Sequence, residues 1–477
     1  MNDSATRRRQ LIALCGTYAG LHFNRQLPAI LAQSIKHSFA LRDAQLGTLT
    51  GSAFALVFAL LGLYFGTLAD RRNRVTMVRV GALLWSLAAL GAALANGFAT
   101  LLLTRAAVAI GEAVATAAAV SLIGEWASAA GFGRAAGALF ASAYLGAGAA
   151  AIVGGSVLAW ASIHAIPDGW RLAMGVAAVP GLLASVFITG PSQTDDSSSR
   201  RAGDGGGPLS PVTVRILWVA AVAVVALPIR LPTRWSVPLA VGVGTAAGIR
   251  WIADLRRNDP PAFRATFGAM LFWHWVIAFA AVLFVDYAAS YWLFPFAARR
   301  FHVDPGTNGR DLGGILVIGG ICGALLGGAV ADRWRRRRAA AYAWTALAAV
   351  ATEAVAIGWS VHQTTFTAFL RPFAIFCIAG GAWTGLAAAI GLDLIPSAHR
   401  GTGAAAYFFT TTLFGPGLGP FVVGMLSDRW GSLSAALDAS ALVMGIAVVL
   451  LWQLGRRFET ATATASSSSI GTPRDAQ

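Results

Sequence analysis

Apolar runs of about twenty residues, each closed by a short polar connection, recur along the chain; that length matches the hydrocarbon layer a helix must cross. The pattern predicts helices over residues 10–32, 45–69, 75–95, 100–123, 135–160 and 171–190. A second set follows over 266–298, 311–331, 339–360, 366–392, 400–425 and 432–455. Between the sets, Asp195-Asp196-Ser197-Ser198-Ser199 and Gly205-Gly206-Gly207 have the composition of a flexible linker over 191–213. Two further apolar runs, 215–229 and 236–253, flank Arg230-Leu231-Pro232-Thr233-Arg234. Together they read as a hairpin that leaves and returns to one side, which keeps the second half correctly oriented. The first run is short for a span, so two readings stay open: fourteen spans, which is favoured, or twelve plus a re-entrant or surface hairpin.

The expected fold is therefore an all-α membrane protein of two six-helix bundles with pseudo-two-fold symmetry and an added central hairpin. Its expected parts are a bundle at 1–190, the linker at 191–213, the hairpin at 214–255, a bundle at 256–456 and a disordered tail at 457–477. Hydrophobic residues are 56% of the chain and charged ones 12%, more apolar surface than a water-soluble fold of this size can hide.

The net charge of +15 raises nucleic acid as a partner, but the charge is not patched. Arg7 to Arg9, Arg71 to Arg74, Arg200 and Arg201, Arg256 and Arg257, Arg335 to Arg338, and Arg456 and Arg457 fall in connections two helices apart. That is the positive-inside pattern, with both termini cytoplasmic in a multi-pass protein of the cytoplasmic membrane. The first apolar run carries Asn24 and Arg25 and has no clear cleavage site, so it reads as a retained helix. Cys15, Cys322 and Cys377 lie inside apolar runs without metal-ligand spacing. No phosphate-binding loop of the Lys-Ser or Lys-Thr type is present; His164, His302 and His362 are scattered in outer loops, and His274 has no acidic residue close in sequence. The expectation is a monomeric, non-enzymatic membrane protein without cofactor or metal.

A short phrase occurs twice: Gly66-Thr67-Leu68-Ala69-Asp70-Arg71-Arg72-Asn73-Arg74, and Gly328-Ala329-Val330-Ala331-Asp332-Arg333-Trp334-Arg335-Arg336. Each copy joins the second and third helices of its half. An Asp-Arg loop repeated at matching places is the mark of a duplicated transporter. It resembles the major facilitator superfamily. Asn24-Arg25-Gln26, Leu41-Arg42-Asp43-Ala44-Gln45-Leu46-Gly47, Gly111-Glu112-Ala113, Gly169-Trp170-Arg171 and Trp292-Leu293-Phe294-Pro295-Phe296 resemble its Spinster-like branch. That resemblance implies movement of lipid-like or amphipathic molecules or organic anions, often with proton coupling. It also implies that Arg25 and Glu112 face each other across a central cavity. The branch usually has an aspartate where this chain has Asn24, and asparagine cannot titrate. Either coupling has moved or the protein is a passive facilitator or a sensor; a membrane-embedded lipid-modifying enzyme is the remote alternative.

Charges within a bilayer are expensive and usually paired or functional. Arg25 and Glu112 are candidates for a substrate- or proton-operated gate, against a static packing pair. Arg105 lies seven residues before Glu112, on the same helical face, and is placed to reach backbone carbonyls or a head group. Asp286 interrupts an apolar run before Tyr287; burial there disfavours its charged form and makes it a candidate proton carrier. Glu353 reads mainly as structural. Tyr287, Tyr291, Trp292, Trp383, Tyr407, Phe408 and Phe409 are candidate cavity aromatics or packing residues. Gly66, Asp70, Arg71, Arg74, Gly328, Asp332 and Arg333 read as a conformational latch in which carboxylates meet helix N-termini and arginines.

Overall fold

A computed structural model of the chain describes residues 3–69, 71–126, 132–190 and 209–470. Among them the regular structure is helical, with no strand. In the first half the long helices are α1 Asp3–Phe39, α2 Asp43–Ala69, α3 Arg74–Ala93, α4 Phe98–Trp126, α5 Phe132–Ile163 and α6 Trp170–Phe187. The hairpin is α7 Pro211–Arg230 and α8 Thr233–Asn258. The second half has α9 Met270–Phe301, α10 Pro305–Arg335, α11 Ala341–Val361, α12 Phe366–Leu394, α13 Ser397–Trp430 and α14 Leu433–Thr460, the last continuing helical to Ile470. All but α1 pass as candidate bilayer spans by length and composition. The 37 residues of α1 are long enough, but Asn24, Arg25 and Gln26 dilute its apolar run.

Helix starts follow from local chemistry. Ser210, Asp304, Thr365 and Ser432 each accept the amide of the residue three along, satisfying a donor the first turn leaves orphaned. Pro211 and Pro305 then occupy the first turn, where a missing N–H costs nothing. The first hairpin helix thus begins at Pro211, inside the stretch that the composition assigns to the linker; residues 191–208 lie outside the described residues. The last helix runs on to Ile470, through part of the segment read as a disordered tail.

Consecutive helices alternate in direction and define two faces. The terminal face holds both ends of the described chain and most of the arginine-rich connections. The distal face holds the connections at 40–42, 94–97, 164–169, 231–232, 302–304, 362–365 and 431–432. The bundles meet along three seams: α1 on α9, α2 on α13, and α5 on α10. The hairpin packs on α2, α4 and α13, outside both bundles. Outward-facing Val219, Val222, Leu325 and Val355 form an apolar exterior that only lipid accommodates. At the distal end of the third seam, Gly155 and Gly309 let two backbones touch. A Cβ on Gly309 would overlap the Ala151 carbonyl, and one on Gly155 the Pro305 carbonyl.

Candidate functional site

Arg25 stands near the middle of α1 and Glu112 near the middle of α4. The Arg25 Nη2 and Nε atoms donate to the same Glu112 oxygen, Oε2, at 2.7 and 3.1 Å. The Glu112 side chain is 0% exposed and that of Arg25 13%. Phe54 and Phe58 of α2 stack on the guanidinium, 4.7 and 4.9 Å from its carbon. These rings exclude water on one side and add cation–π attraction. The Tyr291 hydroxyl of α9 donates to the Arg25 carbonyl at 3.2 Å, which ties the pair to the second bundle.

Arg105 is buried beside this pair. It reaches the Asn24 and Leu49 carbonyls at 3.3 and 3.4 Å. Among the described residues no partner meets Arg105 Nη2 or Glu112 Oε1. Asn24 turns away from the pair and donates to the Ala177 carbonyl of α6 at 2.6 Å. An amide suits that position because it can donate. A carboxylate there would set two acceptor oxygens against each other.

Asp286 and Glu353 come together. They lie on α9 and α11, and their carboxyl groups are within hydrogen-bonding reach of each other. Trp383 Nε1 of α12 donates to Glu353 Oε2 at 2.8 Å. Asp286 is partly exposed and Glu353 is fully buried. Its place in the sequence assigns Glu353 a mainly structural role. The Ser290 carbonyl, one turn on from Asp286, accepts from Gln26 of α1.

The candidate aromatics divide. Tyr287 and Tyr291 adjoin the Arg25 pair, with ring centroids 5.9 Å apart. Trp292 is packed into the second bundle and donates to the Pro420 carbonyl at 2.8 Å, pinning α9 to α13. Tyr407 stacks on Trp275, and Phe409 packs against Trp251 of the hairpin. Phe408 is 59% exposed on the outer surface.

At the terminal face, Asp70 lies outside the described residues. Arg74 is buried and donates to the Ala69 carbonyl at 2.9 Å, while Arg71 is exposed. In the second copy Asp332 accepts from the Tyr342 hydroxyl at 3.0 Å, and Arg333 is exposed. The ion pairs there are made by neighbours, Arg335 with Asp393 and Arg338 with Glu459. They stay within the second bundle. A Cβ on Gly66 or on Gly328 would meet nothing within 4 Å.

The distal face carries a cluster to which the pattern assigned no role. Asp43 opens α2 and is 4% exposed. Arg299 of α9 grips both its oxygens at 2.6 and 2.7 Å, Lys36 adds a bond at 2.6 Å and Ser427 of α13 one at 2.8 Å. In return Asp428 accepts the backbone amides of Asp43 and Ala44 at 2.9 and 2.8 Å. A carboxylate at a helix N-terminus is favoured by the exposed amides and the helix dipole. The legible signal was Arg299-Arg300, a basic pair in the last turn of α9.

Among the described residues, the cross-bundle hydrogen bonds all fall between mid-helix and the distal face. They run from Tyr144 with Thr384 through Arg25 with Tyr291, Gln26 with Ser290 and Ser52 with Gly417 to the Asp43 cluster.

Two helical bundles joined at one face, with a buried ion pair near mid-helix, fit an integral membrane transporter. The comparisons agree. The Major Facilitator Superfamily model matches residues 12–420, and the chain belongs to that family. An "MFS-type efflux pump" of Mycolicibacterium smegmatis is 28% identical over 449 residues, covering 92% of this chain and 87% of that protein. Among solved structures, a bacterial homolog of the human lysosomal transporter Spinster, inward-facing and unoccupied, superposes with a TM-score of 0.68 at 23% identity, covering 96% and 97% of the two chains. A peptide transporter, POT, in complex with sulfate gives 0.69 at 17% identity, covering 95% of each chain. At these identities the structures speak for the fold. That fold belongs to membrane transporters, not to enzymes.

Proposed function

We propose that this chain is a secondary active transporter that exports an amphipathic or anionic small molecule by alternating access, coupled to protons. The observation that carries the reading is the buried Arg25–Glu112 pair of the first bundle, tied to the second bundle through the Tyr291 hydroxyl. Its two flanking orphan atoms, Glu112 Oε1 and Arg105 Nη2, are polar groups that a ligand head group would satisfy. An anionic group competing for Arg25 and Arg105 would release Glu112 and loosen the Tyr291 link to the second bundle. The one-sided set of cross-bundle bonds supports a conformation closed at the distal face. With the terminal face cytoplasmic, as the arginine bias favours, that conformation opens inward. The efflux activity named for the mycobacterial relative supports export.

The purified full chain is reconstituted in vesicles, and transport of lysophosphatidylglycerol and oleate is followed with and without a pH gradient, with a cationic dye as contrast. The expected result is gradient-driven movement of the anionic amphiphiles. Equal, gradient-independent fluxes would favour a passive facilitator, a reading consistent with the untitratable Asn24. No flux and no ligand-dependent rise in melting temperature for any probe would sink the transport reading.

A further inference from the structure

The Asp286 and Glu353 carboxyl groups meet in a pocket of α9, α11 and α12 with no ion pair to either among the described residues. Trp383 supplies one donor, to Glu353 Oε2. Glu353 Oε1 is fully buried and no N–H or O–H reaches it. It points to the same space as Asp286: a Cβ placed on Gly380 would sit 3.4 Å from Asp286 Oδ1 and 3.7 Å from Glu353 Oε1. The other titratable groups facing the pair are Tyr144 of α5 and Cys377 of α12. Neither brings a positive charge.

Two neighbouring carboxylates, one fully buried and the other partly so, are costly to keep both ionised, and the cheapest relief is a retained proton. We propose that Asp286 and Glu353 form one proton site, a carboxyl pair that holds a single proton between them and passes it to water when the bundles change their contact. The proposal rests on the proton-coupled reading above and names its carrier. The link to the bundles runs through α12. Thr384 follows Trp383 directly, donates to the Gly380 carbonyl at 2.9 Å, and shares a 2.9 Å hydrogen bond with the Tyr144 hydroxyl of the first bundle. Losing the proton sets the carboxylates against each other beside this segment. That repulsion biases the seam that Tyr144 and Thr384 hold shut. No bond other than those to the proton is made or broken. The proton arrives from water on one face and leaves to water on the other.

Infrared difference spectroscopy on the full chain in nanodiscs reads the site without knowledge of the substrate. At neutral pH the wild type is expected to display the carbonyl stretch of a protonated carboxylic acid. Asp286→Asn and Glu353→Gln should each shift it, because either change removes the partner that shares the proton and leaves a lone buried acid; the double variant should abolish it, while Glu112→Gln should leave it in place. A band that neither single change moves, that survives the double change, or that only Glu112→Gln removes, overturns the proposal. If a single variant does not fold, the exchanged pair Asp286→Glu with Glu353→Asp serves: it keeps two carboxyls and must keep the band, and its absence also overturns the proposal. In vesicles the two single variants should lose gradient-driven accumulation of the amphiphile probes and keep counterflow. Correct band behaviour without any probe transport would leave the proton site standing and remove the transport reading. Gradient-driven transport with no band lost would do the reverse.

Discussion

Asp43→Asn tests whether the distal cluster holds the bundles together. The carboxylate makes two charge-assisted bonds to Arg299, one to Lys36 and one to Ser427. Asparagine leaves one acceptor oxygen and turns an N–H₂ toward cations, so at least two charge-assisted bonds are lost. Removing one partner of a fully buried pair costs about 3–5 kcal/mol. Here Arg299 and Lys36 are 27% and 30% exposed and can turn to water, which lowers the cost. An estimate of about 2 kcal/mol is appropriate for a partly solvated bidentate pair. The loss falls only on the conformation closed at the distal face, so that state falls by about thirtyfold relative to the open one, at about 1.4 kcal/mol per factor of ten. The Asp428 bonds to the α2 amides persist, so the helix start survives. Spin labels at Asn96 and Thr364, exposed in distal connections of opposite bundles, report the change. Cys15, Cys322 and Cys377 are first replaced. The variant should shift the distance distribution to longer values. An unchanged distribution in Asp43→Asn, and in Arg299→Gln as well, would refute the clasp.

Arg25→Ala strands the buried Glu112 carboxylate and should cost about 3–5 kcal/mol, read as a lowered melting temperature, as well as abolish transport. Glu112→Gln keeps an acceptor oxygen for Arg25 and should cost less stability while still disabling the gate; two variants that transport like wild type would remove the gating role. Gly309→Val drives methyl groups into the Ala151 carbonyl and should cost about 1–3 kcal/mol in the distal-closed state alone, lengthening the same spin-label distance. Cysteine labels at Ser198 and Arg310 should react from opposite sides of the membrane, and same-side labelling would contradict the proposed topology.

Much of this protein was legible along the chain. The length of an apolar run sets whether a helix can cross a bilayer, so helix number and pairing into halves follow from local properties. Arg25 and Glu112 stood out because a lone charge in an apolar run needs a reason. What local properties do not carry is rotation and register between helices. Glu353 read as a packing residue on its own helix, yet the way α11 lies on α9 brings its carboxyl to Asp286, 67 positions earlier. Asp43 read as part of a connection, yet the seam of α2 with α9 and α13 sets it against Arg299, 256 residues away. Asn24 sits next to Arg25 in sequence, but one step along a helix turns the side chain by about 100°, toward Ala177 and out of the site. Burial energy selects helices nearly one at a time, since each run leaves water on its own. The chemistry of the site depends on which faces of those helices finally meet, and only the packed bundles decide that.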